Sequence, residues 1–243
     1  MSVFMSQSNK PSPNKSTISN LFNAETWIFD LDNTLYSVKT NLFSQIDWKM
    51  TQFVSEHLKL ELEEARLLQK QYFKQFGTTM RGMMKLHNVN PKVFLNYVHD
   101  IDLTPILRQP QLNTALESLP GRKVIFTNAS KPHARRIICR LGIEAHFQAI
   151  FDIVDSEYLP KPAPQTYKKL CHDLIIDPTR AVMVDDMVGN LEPAYNMGMK
   201  TVLIDTGIEW SPNNNSATHI NYSVKNLARW LSKLTPENIK KRT

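Results

Sequence analysis

Four short apolar runs in this chain each end in residues too polar to continue a buried strand. Trp27-Ile28-Phe29 runs into Asp30, and Val124-Ile125-Phe126 runs into Thr127-Asn128. Ala181-Val182-Met183-Val184 leads to Asp185-Asp186, and Thr201-Val202-Leu203-Ile204 leads to Asp205. Continuous apolar runs of this length suit strands buried on both faces, as in a parallel sheet covered by helices. Helical patterns separate them. Ser130-Lys131-Pro132 opens one helix, Ile137, Ile138 and Leu141 form its inward stripe, and Gly142 fits the position just past its end. Ala163 to Leu174 forms a second, and a third runs from after Asp186 through Leu191 and Ala194 to a stop at Gly198. Leu227, Trp230, Leu231 and Leu234 have the spacing of a last docking helix. Strand and helix alternating in this order predict a doubly wound, mainly parallel α/β domain with right-handed crossovers.

The segment between the first two runs has a different character. Ile46, Met50, Phe53, Val54 and Leu58 make one helical stripe, and Ala65, Leu68, Tyr72 and Phe76 make another that Gly77 ends. Phe94, Leu95 and Val98 mark a third. The expected organisation is a tail over residues 1–22, a core domain over 23–37 and 117–243, and an inserted helical subdomain over 38–116. The tail is rich in Ser, Asn and Lys and lacks the apolar centre of a signal peptide, so it is expected to be disordered. No stretch approaches the roughly 20 apolar residues that cross a bilayer, so no membrane partner is expected and the chain is placed in the cytoplasm.

Hydrophobic content of 42% across 243 residues supplies ample material for a core. Cys139 and Cys171 share no metal or redox spacing and are expected to be reduced core thiols. His57, His87, His99 and His133 show no zinc-type pairing and are expected to be structural or at the surface. The formal net charge of +6 sits partly at the ends, at Lys10, Lys15 and Lys240-Lys241-Arg242. Pairs such as Arg135-Arg136 and Lys168-Lys169 suit solvated helix faces, not a basic stripe with interleaved aromatics. A nucleic-acid polymer is therefore not an expected partner, whereas a mildly positive field suits a small anionic substrate.

Strand ends of an open α/β sheet converge on a crevice at their carboxyl edge. Asp30, Asp32, Thr127, Asp185 and Asp186 would gather there from three strands. Read alone, Asp30 to Thr34 is also compatible with a strand that ends in a turn and starts a helix. Read together, the carboxylates repel one another and call for a hard divalent cation, with oxygen ligands favouring Mg²⁺. Lys161, set between Pro160 and Pro162, can pair with both a carboxylate and a phosphate oxygen.

These residues carry a resemblance. Asp30-Leu31-Asp32-Asn33-Thr34, Thr127-Asn128, Lys161 and Asp185-Asp186 through Asn190 resemble, in order, the four motifs of the haloacid dehalogenase-like hydrolases over about residues 25–205. Within that family the chain is similar to the pyrimidine 5′-nucleotidase group. That similarity rests on Phe29 to Tyr36, Gly77-Thr78-Thr79, Val98-His99-Asp100-Ile101-Asp102 and Leu119-Pro120-Gly121-Arg122-Lys123. The resemblance implies a Rossmann-like core with a helical cap, and Asp30 as a nucleophile that forms an aspartyl-phosphate. It implies Asp32 as the acid for the leaving oxygen and the base for the incoming water. It further implies Asp186 as a direct Mg²⁺ ligand with Asp185 behind it, or the two exchanged, and a backbone carbonyl of Asp32 on the metal. Thr127, Asn128 and Lys161 would hold phosphate oxygens, and Asn190 would orient a water on the metal. The cap would set substrate choice, with Thr78, Thr79, Arg81 and His87 as candidate contacts in a loop after Gly77. Met80, Met83 and Met84 read as packing in preference to a floor for a base.

A dehalogenase needs no proton for its leaving group, so Asp32 favours phosphoryl transfer. The expected activity is hydrolysis of a small phosphate monoester, foremost a pyrimidine nucleoside 5′-monophosphate. A sugar-phosphate or phosphoglycolate-like ester, a phosphomutase, and a non-catalytic binding module on the same fold are the alternatives. One departure stands out: Asn128-Ala129 replaces the Asn-Gly common in related sequences, and Ala disfavours the positive φ that Gly would allow.

Overall fold

The computed structural model describes residues 21, 23–207 and 217–234; the rest of the expected tail and the basic Lys240-Lys241-Arg242 lie outside them. Leu21, inside the tail segment as read from sequence, is buried against the core.

Six strands form one sheet: β1 (Thr26–Phe29), β2 (Arg122–Phe126), β3 (Ala149–Phe151), β4 (Ala181–Asp185), β5 (Lys200–Ile204) and β6 (Tyr222–Val224). Their order is β3-β2-β1-β4-β5-β6, with every pairing parallel. The chain builds outward on one side of β1 and then crosses to the other, which makes a switch point beside β1. Phe29 is in register with Ile125 on one neighbour and Val184 on the other, so the three strands deliver Asp30, Thr127 and Asp185 to the same edge. The four predicted runs are strands. β3 and β6 were not anticipated, because three residues are too few to show a pattern.

Both faces of the sheet are covered, and alternate residues serve opposite sides. Trp27, Phe29, Ile125, Val182 and Val184 belong to one buried cluster. Ile28, Val124, Phe126, Ala181 and Met183 belong to the other, with Tyr167, Leu170 and Leu191 packed over them. Burying a Phe or Ile side chain this fully contributes roughly 1.5–3 kcal/mol. That explains why the middle of each run is apolar.

Four helices follow β1: α1 (Leu42–Leu58), α2 (Leu62–Phe76), α3 (Thr79–His87) and α4 (Pro91–Val98). They pack on one another, α1 with α2 and α4, and α3 with α2 and α4. Gly77 closes α2 at φ +84°, and an added Cβ there would lie 3.1 Å from Pro160, so this turn abuts the Lys161 loop. Residues 79–87, read from sequence as a loop, are helical. The Thr78 hydroxyl accepts from the Arg81 N–H at 3.2 Å and caps α3. Met80 and Met83 are buried, as the packing reading expected. A Cβ at Gly82 would lie 2.5 Å from the Tyr72 ring, so only glycine lets α3 approach α2 this closely.

Helix α5 (Pro110–Ser118) contains the expected cap boundary at residue 116, and it packs against α9 (Leu227–Leu231) at the far end of the chain. Helices α6 (Lys131–Leu141), α7 (Pro164–Asp173) and α8 (Val188–Asn196) complete the layers. Cys171 on α7 is buried, but Cys139 is exposed, because the inward stripe of α6 is His133, Ala134, Ile137, Ile138 and Leu141. Among the described residues no helix is long and apolar enough to cross a membrane.

Candidate active site

At the carboxyl edge Lys161 is the hub. Its ammonium donates to Asp30 Oδ1 at 2.7 Å, Asp185 Oδ2 at 2.7 Å and the Phe126 carbonyl at 3.0 Å. The lysine is 2% exposed and Asp185 fully buried, so these charges sit where water screens them little. Burial alone would discharge the lysine, but the carboxylates of Asp185 and Asp30 outweigh it and push its pKa above the usual range.

Lys161 is placed by its own backbone. The Asn128 side chain accepts from the Lys161 N–H at 2.8 Å and donates to its carbonyl at 3.3 Å. Sequence reasoning assigned this amide to phosphate; here it ties the lysine loop to the end of β2. The Thr127 hydroxyl accepts from the Ala129 N–H at 3.0 Å and is buried. Ala129 takes no positive φ, so the loop forms without the glycine of related sequences. The left-handed position lies instead in the first motif, at Asn33 (φ 61°), a residue type that tolerates it.

Asp185 is fully engaged. Its Oδ1 accepts from the Met187 N–H at 2.9 Å and the Asn190 amide at 3.0 Å, and its Oδ2 takes Lys161 and the same amide at 3.2 Å. Asn190 is in turn fixed by Tyr167, whose hydroxyl donates to the Asn190 carbonyl at 2.6 Å. Asn190 therefore anchors Asp185.

Asp30, Asp185 and Asp186 each bring a carboxylate oxygen within 4.8 Å of the others, all three buried. The local field registers the crowding. Burial, together with the charges of Asp185 and Asp32, lifts Asp30 to about 7 despite Lys161. Asp186 is pushed well up by burial and by Asp185 and Asp30. Three buried acids sharing one lysine are a donor set that fits a hard divalent cation.

Asp32 lies apart from this cluster. Its Oδ1 accepts from the Tyr36 hydroxyl at 2.6 Å, and His133 Nε2 stands 3.5 Å from the same oxygen. Burial works against the Asp32 carboxylate, but His133 and Tyr36 outweigh it and hold the group below the usual carboxylate range. His133 stacks on His99 with ring centroids 4.2 Å apart. Burial, then the neighbouring His133, drives His99 down to about 3. Sequence reasoning missed both histidines as neighbours of Asp32. The available signal was position: His133 sits in the first turn of the helix after Thr127-Asn128, at the same sheet edge.

The other candidates serve the helical insertion. The Thr79 hydroxyl donates to the Gln69 carbonyl at 3.4 Å, and His87 shares a 2.6 Å hydrogen bond with Tyr72. Arg81 is half-buried on α3.

An open parallel sheet with a buried carboxylate cluster at its switch point defines a Rossmann-like protein with its candidate site at the carboxyl edge of β1. A family model described as haloacid dehalogenase-like hydrolase matches residues 25–198, and the chain belongs to that family. Phosphate metabolism protein 8 of Saccharomyces cerevisiae is 28% identical over 196 residues, 74% of this chain and 61% of that protein. This chain thus spans about three fifths of that relative's length. D-ribitol-5-phosphate phosphatase of Bacteroides thetaiotaomicron is 21% identical over 170 residues, covering 68% of this chain and 79% of its own. A HAD phosphatase structure from Thermococcus onnurineus superposes with a TM-score of 0.56 at 18% identity, over 86% of this chain and 95% of that one, which shows the shared fold.

Proposed function

We propose that this chain is a Mg²⁺-dependent phosphatase acting on small phosphate monoesters, foremost pyrimidine nucleoside 5′-monophosphates. The observation that carries the reading is Lys161 bridging Asp30 and Asp185, each at 2.7 Å, with Asp32 two residues from Asp30. One relative, a D-ribitol-5-phosphate phosphatase, supports the ester class. The nucleotide preference rests on the sequence resemblance.

Asp30 is the nucleophile. One of its oxygens attacks phosphorus in line, an O–P bond forms, and the bond to the leaving oxygen breaks. Asp32 gives a proton to that leaving oxygen, then takes one from the water that hydrolyses the aspartyl-phosphate. Lys161 favours the ionised form of Asp30 against burial, aims it, and balances charge on the phosphate. The Thr127 hydroxyl and the Asn128-fixed loop shape the phosphate side.

The residues that would hold Mg²⁺ are Asp30, Asp186 and the backbone carbonyl of Asp32, where the ion would neutralise charge on nucleophile and phosphate. A carboxylate has about four acceptor sites, and the bonds on Asp185 occupy both its oxygens twice. That supports Asp186 as the direct ligand and Asp185 as its support. The four-helix insertion serves as the cap. Its turn at Gly77, which abuts Pro160, supports reading α3 with Arg81 as the part of the cap nearest the site.

The test is phosphate release from UMP, CMP, AMP and D-ribitol 5-phosphate with Mg²⁺, by the native chain and by Asp30→Asn. The expected outcome is a preference for UMP and CMP, and a loss of at least roughly 10³-fold in the variant. Equal release by both proteins would end the nucleophile assignment, and equal turnover of all four esters would end the nucleotide preference.

A further inference from the structure

Helix α6 begins unusually. Ser130 occupies its N-cap position, yet the hydroxyl makes no cap bond; it shares a 2.9 Å hydrogen bond with His99 Nδ1. The capping acceptor comes from elsewhere, as the Asp152 carboxylate accepts from the Lys131 N–H at 2.6 Å. One turn on, the Arg136 guanidinium donates to the carbonyls of His99 at 3.0 Å and Ile101 at 3.3 Å. The segment returning from the helical insertion is therefore fastened to α6 at three points, and His99 is clamped through both its ring and its backbone.

The clamped ring lies flat on His133, with 18° between the planes. His133 is fully buried, and neither of its ring nitrogens makes a hydrogen bond. A buried imidazole with no hydrogen-bond partner is costly and uncommon, and asks for an explanation. The polar group that faces it is Asp32 Oδ1, 3.5 Å from Nε2. Tyr36, four residues after Asp32, reaches the same Oδ1. Both contacts therefore fall on one oxygen of the carboxyl and restrict its rotation.

We propose that His133, backed by the clamped His99, is a positioning residue: it fixes the Asp32 carboxyl so that Oδ2 meets the leaving oxygen of the substrate. The proposal rests on the phosphatase reading above and assigns a role to a residue outside the four motifs. It also links the segment that returns from the cap to the proton donor, because His99 belongs to the insertion and His133 to the core.

The test separates positioning from general stability by the demand of the leaving group. p-Nitrophenolate departs without a proton, whereas phenolate and the UMP ribose oxygen need one. kcat/KM covers steps up to that departure. His133→Phe keeps the ring stack and removes both nitrogens; His133→Gln restores a polar group at the same reach. For His133→Phe, kcat/KM on UMP and phenyl phosphate should fall about 10- to 100-fold while p-nitrophenyl phosphate changes less than about 3-fold. His133→Gln should recover part of that loss on the two demanding esters. An equal fall on all three esters, or no fall on any, overturns the positioning role. Failure of the unaltered chain to hydrolyse any of the three with Mg²⁺ instead overturns the phosphatase reading, and the proposal with it.

Discussion

Asp30 and Asp32 leave the same strand two residues apart, and their surroundings push them in opposite directions. Asp30 faces acids delivered by β4, and burial among them raises it to about 7 even with Lys161 bonded to it. Asp32 faces Tyr36 and His133, which hold it ionised below the ordinary range against the effect of burial. For the proposed chemistry each is poised the wrong way without its ligands: a nucleophile should be ionised, and a proton donor protonated. The contrast teaches what each group awaits. The crowded acids await positive charge, which a divalent cation supplies, and Asp32 awaits the negative charge of a phosphate ester brought close to its carboxyl.

The largest expected effect that sharpens this comparison is Asp32→Asn. It should lower kcat/KM for UMP by about 10²–10⁴-fold and barely affect p-nitrophenyl phosphate. A uniform loss on both esters would make the two aspartates equivalent and break the comparison. Next comes Lys161→Met, which leaves Asp30 and Asp185 facing each other without their shared cation. Removing one partner of a buried ion pair costs about 3–5 kcal/mol, so urea unfolding of metal-free protein should shift by that order. A variant as stable as the parent would mean the lysine does not hold the cluster together.

The smallest effect is the dependence of stability on pH. Asp30 titrates at about 7 folded and 3.8 unfolded, so the folded state binds the extra proton between those values. Its contribution therefore falls as pH rises through that window, and Asp186 has the same sign. His99 runs the other way: its pKa is about 3 folded and 6.5 unfolded, so its penalty appears only as pH drops below 6.5. Between pH 6.5 and 8 the acids act without that opposition. Melting of chelator-treated protein should drop by a few degrees across this range, and Mg²⁺ should remove the drop. A flat profile without metal would contradict the account of crowding.

Much of this was legible in the chain. Local order was readable because the central residues of strands buried on both faces are apolar, so Asp30, Thr127 and Asp185 mark the carboxyl ends of β1, β2 and β4. Lys161 was readable as a partner because two prolines fix its backbone, it can pair with a carboxylate, and it matches the third motif of the resemblance. What escaped were pairings between distant segments that leave no spacing. His99 and His133 lie 34 residues apart and meet only because the insertion returns across α6. The tie of Asn128 to the Lys161 backbone escaped as well, because side-chain type suggests a donor but not whose backbone it will find. Thr79–His87 was expected as a loop because it follows the helix-ending Gly77; instead the Thr78 cap and the burial of Met80 and Met83 start a new helix there.

The most direct measurement is to trap the covalent step. Asp32→Asn should still accept phosphate from p-nitrophenyl phosphate with Mg²⁺ but hydrolyse the adduct slowly, because the base for water is gone. Acid quenching followed by peptide mass spectrometry should then find one phosphoryl group on Asp30. An adduct on any other residue, or none while nitrophenolate is released in a full burst, would contradict the assignment of Asp30 as the nucleophile.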